Sequence, residues 1–345
     1  MTNRTSMSKI LIVVLAFIVA FLIIEFALRI MDYHPRFMEM NMFVEEENEL
    51  LPYKLKPNYT GYQIGKEVAI DSEGNRVIKP SPNKPSGEFI NADSKTILIL
   101  GDSVVFGFGL QDDKTIASQF QTLINQADSN YVVKNIAAPG YTSWNEYEAL
   151  NQYLVNHEVD IVVLFYVFND ITLDNHALIT MKRDQEMKYS SVKKALYKNI
   201  YLLSLIKDMG ASLDSNSNTG NKSNAQEPIV DQLYRTYLNQ EALDYSIEAI
   251  SKIKSLCEQN NIELIVAIPR FHMWYYNYPE FSKDFETEIL SKLNNIGVSA
   301  FVAKSHIDNL SIEEINVFRN DYHPSPLAVK YLVSDIYNQI ENKEQ

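Results

Sequence analysis

The chain has a single cysteine, Cys257, so it can form neither an internal disulfide nor a cysteine-rich metal centre. Cys257 sits in SKIKSLCEQN, a helical pattern, and is expected to be an inert core residue. Basic residues are also scarce: 31 Lys and Arg stand against 44 Asp and Glu, a formal charge of -13. That balance gives no electrostatic footprint for a polyanion, so nucleic acid is excluded as a partner. There is no HExxH, no paired-cysteine motif and no Asp-x-His after the first strand. A metal site assembled from Asp102, Asp170 and His323 is therefore poorly supported. GFGLQD lacks the third glycine of a dinucleotide loop. Val105 occupies the position where a Gly-x-Ser-x-Gly elbow needs its last glycine.

Long apolar runs are confined to one place. Residues 10–24, ILIVVLAFIVAFLII, are uninterrupted, and the run continues to Met31 broken only by Glu25 and Arg29. From Ile10 to Met31 a helix would rise roughly 33 Å, enough for a bilayer core. No Ala-x-Ala-like cleavage site follows, so residues 10–31 are expected to be an uncleaved anchor. Arg4 and Lys9 precede the run, whereas Arg36 and then the acidic VEEENE follow it. The positive-inside rule then puts tail 1–9 in the cytoplasm and the remainder of the chain outside. Glu25 and Arg29 are spaced i, i+4 near the outer end, as an interfacial ion pair would be.

Residues 32–93 are rich in Pro, Tyr and polar side chains and read as a stalk with a small β-rich lead-in, including one hairpin turning near Ser72–Gly74. From residue 94 to the end, short apolar runs alternate with helical patterns: TILIL, YVVKNIA, DIVVLFYV, IELIVAIP and VSAFVA. This alternation predicts an α/β domain with about five parallel strands covered on both faces. Helices are expected around Thr236–Gln259, around Phe281–Asn294 and from Pro326. The segment 211–228, dominated by Ser and Asn, reads as a disordered surface loop within one domain. The partly apolar stretch 174–209 reads equally as a lid or as plain packing.

In a parallel α/β sheet ligands bind beyond the carboxyl ends of the strands, and four polar places fall there. Gly101-Asp102-Ser103 follows TILIL; a serine hydroxyl so placed is a nucleophile only if a base activates it, and otherwise the turn is a helix cap. Pro139-Gly140 follows YVVKNIA, leaving a glycine N–H open to a ligand. Asn169 follows the third apolar run, where its carboxamide can donate to a developing oxyanion or merely end a strand. Asn320-Asp321-Tyr322-His323-Pro324 precedes the last helix. There a carboxylate beside a histidine can fix its tautomer and stabilise the imidazolium. The other five histidines read as surface or packing residues, with His176 and His272 nearest the mouth of the sheet.

This order of Ser, Gly, Asn and Asp-x-His resembles the SGNH (GDSL-like) hydrolase family over roughly residues 95–339. The resemblance implies a three-layer, doubly wound, flavodoxin-like sheet and a serine esterase using no metal and no organic cofactor. It implies Ser103 as nucleophile, His323 as general base and Asp321 as its orienting carboxylate. The oxyanion hole would comprise the N–H groups of Ser103 and Gly140 with the Asn169 side chain. Many members place the aspartate three residues before the histidine, where this chain has Asn320, so either position is a candidate. For an anchored member the resemblance implies an O-acyl ester, O-acetyl first, of an extracytoplasmic carbohydrate or cell-envelope substrate, with lipid and thioester substrates also open. An O-acetyltransferase would use the same constellation, and an inactive glycan-binding assembly factor would act with polysaccharide-assembly proteins. Tyr141, Trp144, Trp274 and Tyr275 fall after strand ends, where aromatic rings can stack on sugars or simply pack.

Overall fold

An apolar stretch without a polar face forms one continuous helix, α1, spanning Thr2–Ile30. Within it Lys9–Ile30 is long and apolar enough to cross a membrane, and nearly all of it is exposed. The computed structural model describes residues 2–31, 33–34, 39–80, 94–127, 130–176, 178–180, 196–197, 199–207, 209, 226–270, 274–317 and 323–344.

The lead-in forms two antiparallel pairs: β1 (Phe43–Glu45) with β2 (Tyr53–Leu55), and β3 (Thr60–Gln63) with β4 (Lys66–Ala69). The second hairpin turns at Ile64 and Gly65, with φ of 49° and 76°. The turn expected near Ser72–Gly74 is a separate one. There Asp71 Oδ1 accepts the N–H groups of Glu73 and Asn75, and an Ile70–Arg76 bridge closes the loop. Met42, Leu51, Tyr53, Leu55 and Val68 from this segment belong to the same buried cluster as the main sheet.

Five parallel strands follow: β5 (Lys95–Gly101), β6 (Tyr131–Ala137), β7 (Ile161–Phe165), β8 (Glu263–Pro269) and β9 (Ser299–Ala303), in the order β6-β5-β7-β8-β9. All five residues of β7 are buried, as a strand covered on both faces requires. The helices are α2 (Ser103–Phe106), α3 (Ile116–Ala127), α4 (Ser143–Tyr153), α5 (Gln226–Tyr237), α6 (Gln240–Gln259), α7 (Pro279–Asn295) and α8 (Pro326–Glu344), with two further four-residue helices at Trp274–Asn277 and Ile312–Ile315. Helix α8 packs on α3 and helix α4 on α6. Right-handed crossovers put these two pairs on opposite faces of the sheet. The sheet is thus the doubly wound α/β layer expected from the alternation of apolar runs.

The helix expected from Thr236 begins earlier and divides in two. Asn239 ends one segment and caps the next, its side chain accepting the N–H groups of Glu241 and Ala242. Of the loop expected at 211–228, residues 211–225 lie outside the described residues and 226–228 open α5. Cys257 is buried, and burial pushes its thiol up to about 12, with the Glu258 charge adding to the shift.

Candidate active site

Chain order reverses at β5, which has β6 on one side and β7 on the other. Ser103 comes two residues after β5, Gly140 three after β6 and Asn169 four after β7. All three therefore gather around the topological switch point, where a crevice opens in folds of this kind. His323 arrives from the loop that follows the short helix Ile312–Ile315, beyond β9. That loop is pinned at both ends: Val317 N–H donates to His323 O at 2.9 Å, Asn316 bridges Pro324, and Ser325 N–H bonds Ile315 O. The Ser325 hydroxyl then accepts the Ala328 N–H at the start of α8.

Ser103 Oγ lies 2.8 Å from His323 Nε2, joining residues 220 positions apart. It also lies 3.1 Å from Asp102 Oδ2. A hydroxyl has one proton, so these two acceptors compete for it, and the shorter contact is with the imidazole. Asp102 is buried and also holds α2 in place, its Oδ1 accepting the Val104 N–H at 2.8 Å. The cap reading of Gly-Asp-Ser thus applies to Asp102. The His323 ring packs against Phe108 at 4.7 Å between centroids.

Asn169 Nδ2 donates to Asp102 Oδ2 at 2.8 Å and points toward Tyr141 O at 3.5 Å. This bond fixes the carboxamide beside the serine and occupies the oxygen that competes for the serine proton. Gly140 has φ of 80°, and a Cβ there would stand 3.1 Å from Tyr53 Oη. Tyr53 in turn donates its hydroxyl to Pro139 O at 3.0 Å, so the lead-in braces the Pro-Gly turn. Among the described residues, neither the Ser103 nor the Gly140 N–H takes an intramolecular partner. Asp321 and Asn320 both lie outside the described residues.

Three contributions had no signal in the sequence pattern. Tyr53 is the first. The second is Arg76, buried at 2% exposure, whose guanidinium donates to Phe106 O and Gly107 O at 2.7 Å, to Leu110 O at 2.6 Å and to Asp112 Oδ1 at 3.1 Å. It ties down the loop that follows the serine. The third is a buried acidic pair behind Asp102. Glu146 on α4 is fully buried with no hydrogen-bond partner for either oxygen among the described residues. Asp170 accepts the Val167 N–H at 2.6 Å through Oδ2. Burial foremost, then the charges of Asp170 and Asp102, hold the Glu146 carboxyl well above the usual range; burial and Asp102 do the same to Asp170.

Three of the aromatic candidates, Tyr141, Trp144 and Tyr275, are engaged in packing. The Tyr141 hydroxyl donates to Tyr53 O, and Trp144 Nε1 donates to Tyr245 O at 3.0 Å. Tyr275 lies against the Arg270 guanidinium, and the side chain of Trp274 and all of His272 fall outside the described residues. His176 is exposed beside Asp174. A cavity of about 380 Å³ between the lead-in and β6 is lined by Lys54, Ile136, Tyr141, Tyr153 and His157; Ser103, Asn169 and His323 do not line it.

No family model matches the chain, and no curated protein does. Solved structures similar to it include the psychrotrophic esterase EstA from Pseudoalteromonas sp., 15% identical, covering 72% of this chain and 98% of that one with a TM-score of 0.43. The lipase/acylhydrolase from Enterococcus faecalis is 14% identical, with 72% and 96% coverage and a TM-score of 0.43. The acetyl xylan esterase AlAXEase is 10% identical, with 71% and 99% coverage and a TM-score of 0.43. At such identities and scores neither activity nor substrate transfers from them.

Proposed function

We propose that this chain is a membrane-anchored serine ester hydrolase in which Ser103 attacks an acyl carbonyl and His323 is the general base. The observation that supports it most directly is the 2.8 Å contact between Ser103 Oγ and His323 Nε2 at the switch point of the sheet. On attack the serine proton passes to Nε2, a bond forms between Oγ and the carbonyl carbon, and the carbonyl oxygen becomes an oxyanion. The N–H groups of Ser103 and Gly140 and the Asn169 carboxamide are the donors for that charge. Collapse expels the alcohol, which takes its proton from His323. A water activated by the same imidazole then releases the acid and regenerates the serine. Asp321 is assigned to orient His323, with Asn320 as the other candidate.

The setting belongs to the same proposal. Helix α1 is an uncleaved anchor with its N-terminus in the cytoplasm and the sheet domain outside. The substrate is an O-acyl ester, with O-acetyl on carbohydrate or cell-envelope material as the first choice.

The test uses the full chain in detergent micelles, measuring acetate release from p-nitrophenyl acetate and from acetylated oligosaccharides. Ser103→Ala should lower the rate by at least about a thousandfold. Equal rates for parent and variant would contradict the hydrolase assignment. Negligible acetate release together with Ser103-dependent glycan acetylation would instead identify a transferase.

A further inference from the structure

Charged side chains on a membrane-crossing helix are costly unless something compensates them. On α1, Glu25 and Arg29 pair at 2.8 Å, and the compensation extends beyond the pair. The Glu25 carboxylate accepts the N–H groups of Tyr201 and Leu202, both at 2.9 Å, and so caps the start of a helix at 201–207. Arg29 donates to Asn199 O at 3.0 Å and lies over the Tyr201 ring at 4.3 Å. Tyr33 packs edge-on against Tyr201, and His34 stacks on Tyr62 of β3 at 3.8 Å between centroids. A carboxylate within the apolar helix thus holds the first turn of a second helix, amid aromatic rings of the kind that gather at membrane–water boundaries.

The 201–207 helix, with residue 209 beyond it, turns apolar side chains away from the protein. Leu203, Ile206 and Met209 recur at a spacing of three and are exposed, Ile206 at 58% and Met209 at 57%. Lys207 lies beside them, exposed and reaching over the Tyr197 ring. Glu25 is five residues before the end of α1, which places it roughly 7.5 Å below the top of the apolar span. Interfacial helices bury their apolar faces about 5–10 Å into the boundary of headgroups and acyl chains.

We propose that the 201–207 helix is an interfacial helix, seated in the outer leaflet beside α1 with Leu203, Ile206 and, just beyond it, Met209 in lipid. The domain is then docked on the bilayer through two elements locked together by Glu25. This rests on α1 being a retained membrane span. The carboxylate holds the helix at one depth, the apolar stripe gives it lipid contact, and Lys207 faces the headgroups.

The test is depth-dependent quenching in the full chain, with Cys257 replaced by alanine and one new cysteine at a time carrying an environment-sensitive fluorophore. Probes at Phe17→Cys, Ile206→Cys and Val155→Cys are compared in phosphatidylcholine–phosphatidylglycerol vesicles whose spin-labelled lipid sits near the headgroup or near the chain end. The deep label should quench position 17 best, the shallow label position 206 best, and neither should quench position 155. Adding Glu25→Ala should lower quenching at 206 several-fold and leave position 17 unchanged. If 17 is deep while 206 behaves like 155, the docking is wrong and the anchor stands. If 17 also behaves like 155, the anchor fails and the docking with it. Quenching at 206 that survives Glu25→Ala would overturn the capping role.

Discussion

Replacing Arg76 with methionine removes the guanidinium that holds the loop following Ser103. The substitution keeps much of the side-chain volume and deletes donors to Phe106 O, Gly107 O, Leu110 O and Asp112 Oδ1. Asp112 is then left buried with the exposed Lys79, 2.8 Å from its Oδ2, as its remaining cation. Removing one partner of a buried ion pair typically costs about 3–5 kcal/mol. In a domain of this size that corresponds to a loss of roughly 6–20 °C in melting temperature. The double variant Arg76→Met/Asp112→Leu removes the stranded charge and should recover a large part of the loss, because the pair itself is only weakly favourable against apolar replacements. Thermal melts of the full chain in detergent, followed by circular dichroism, read both effects. Ester hydrolysis should fall in the single variant, since Phe108, which packs on His323, lies in the loosened loop. A single variant that melts with the parent, or a double variant no more stable than the single, would refute the reasoning.

Three further outcomes are expected. Asn169→Ala should lower kcat by about 10²–10³ with little change in KM, because in the proposed mechanism the carboxamide donates to an oxygen that carries charge only in the transition state; a change confined to KM would contradict that role. Gly140→Ala should cost about 1–2 kcal/mol for a Cβ at a left-handed φ, and should reduce hydrolysis beyond that loss because the Cβ meets Tyr53 Oη at 3.1 Å; denaturant titration beside steady-state kinetics separates the two effects. Glu146 has its folded pKa raised above an unfolded value of about 4.3. Its contribution is therefore fully present below that value and is lost as pH rises through the folded pKa, at up to about 1.4 kcal/mol per pH unit. Urea midpoints across this range should decline in the parent and less steeply in Glu146→Gln, where Asp170 is the remaining raised carboxyl of the pair, and parallel profiles would contradict it.

The sheet was legible because its strands are buried on both faces, so TILIL and DIVVLFYV carry the signal locally. Ser103, Gly140, Asn169 and His323 stood out for a related reason: each is a polar break directly after an apolar run or before a helix. Arg76 and Tyr53 show no such break. Their contacts are with residues 30 to 86 positions away, and no periodicity in the lead-in encodes where that segment lies on the sheet. The hairpin at Ile64–Gly65 was hidden because a β-branched residue there takes a positive φ, a conformation normally signalled by Asn or Gly. The start of α5 was masked by the polar run before it, although Leu233 and Tyr237 mark its packed face at i, i+4. Asn239 did carry a readable cap signal, followed by Glu241 and the apolar run of α6.

The most direct test of the central claim is covalent capture of the nucleophile. The full chain is treated with a fluorophosphonate, digested, and the modified residue identified by mass spectrometry. The expected result is a single adduct on Ser103 that forms in the native protein, is lost on denaturation before treatment, and is strongly slowed by His323→Ala. An adduct on another residue, or labelling of Ser103 at the parent rate in the His323→Ala variant, would contradict a serine activated by this histidine.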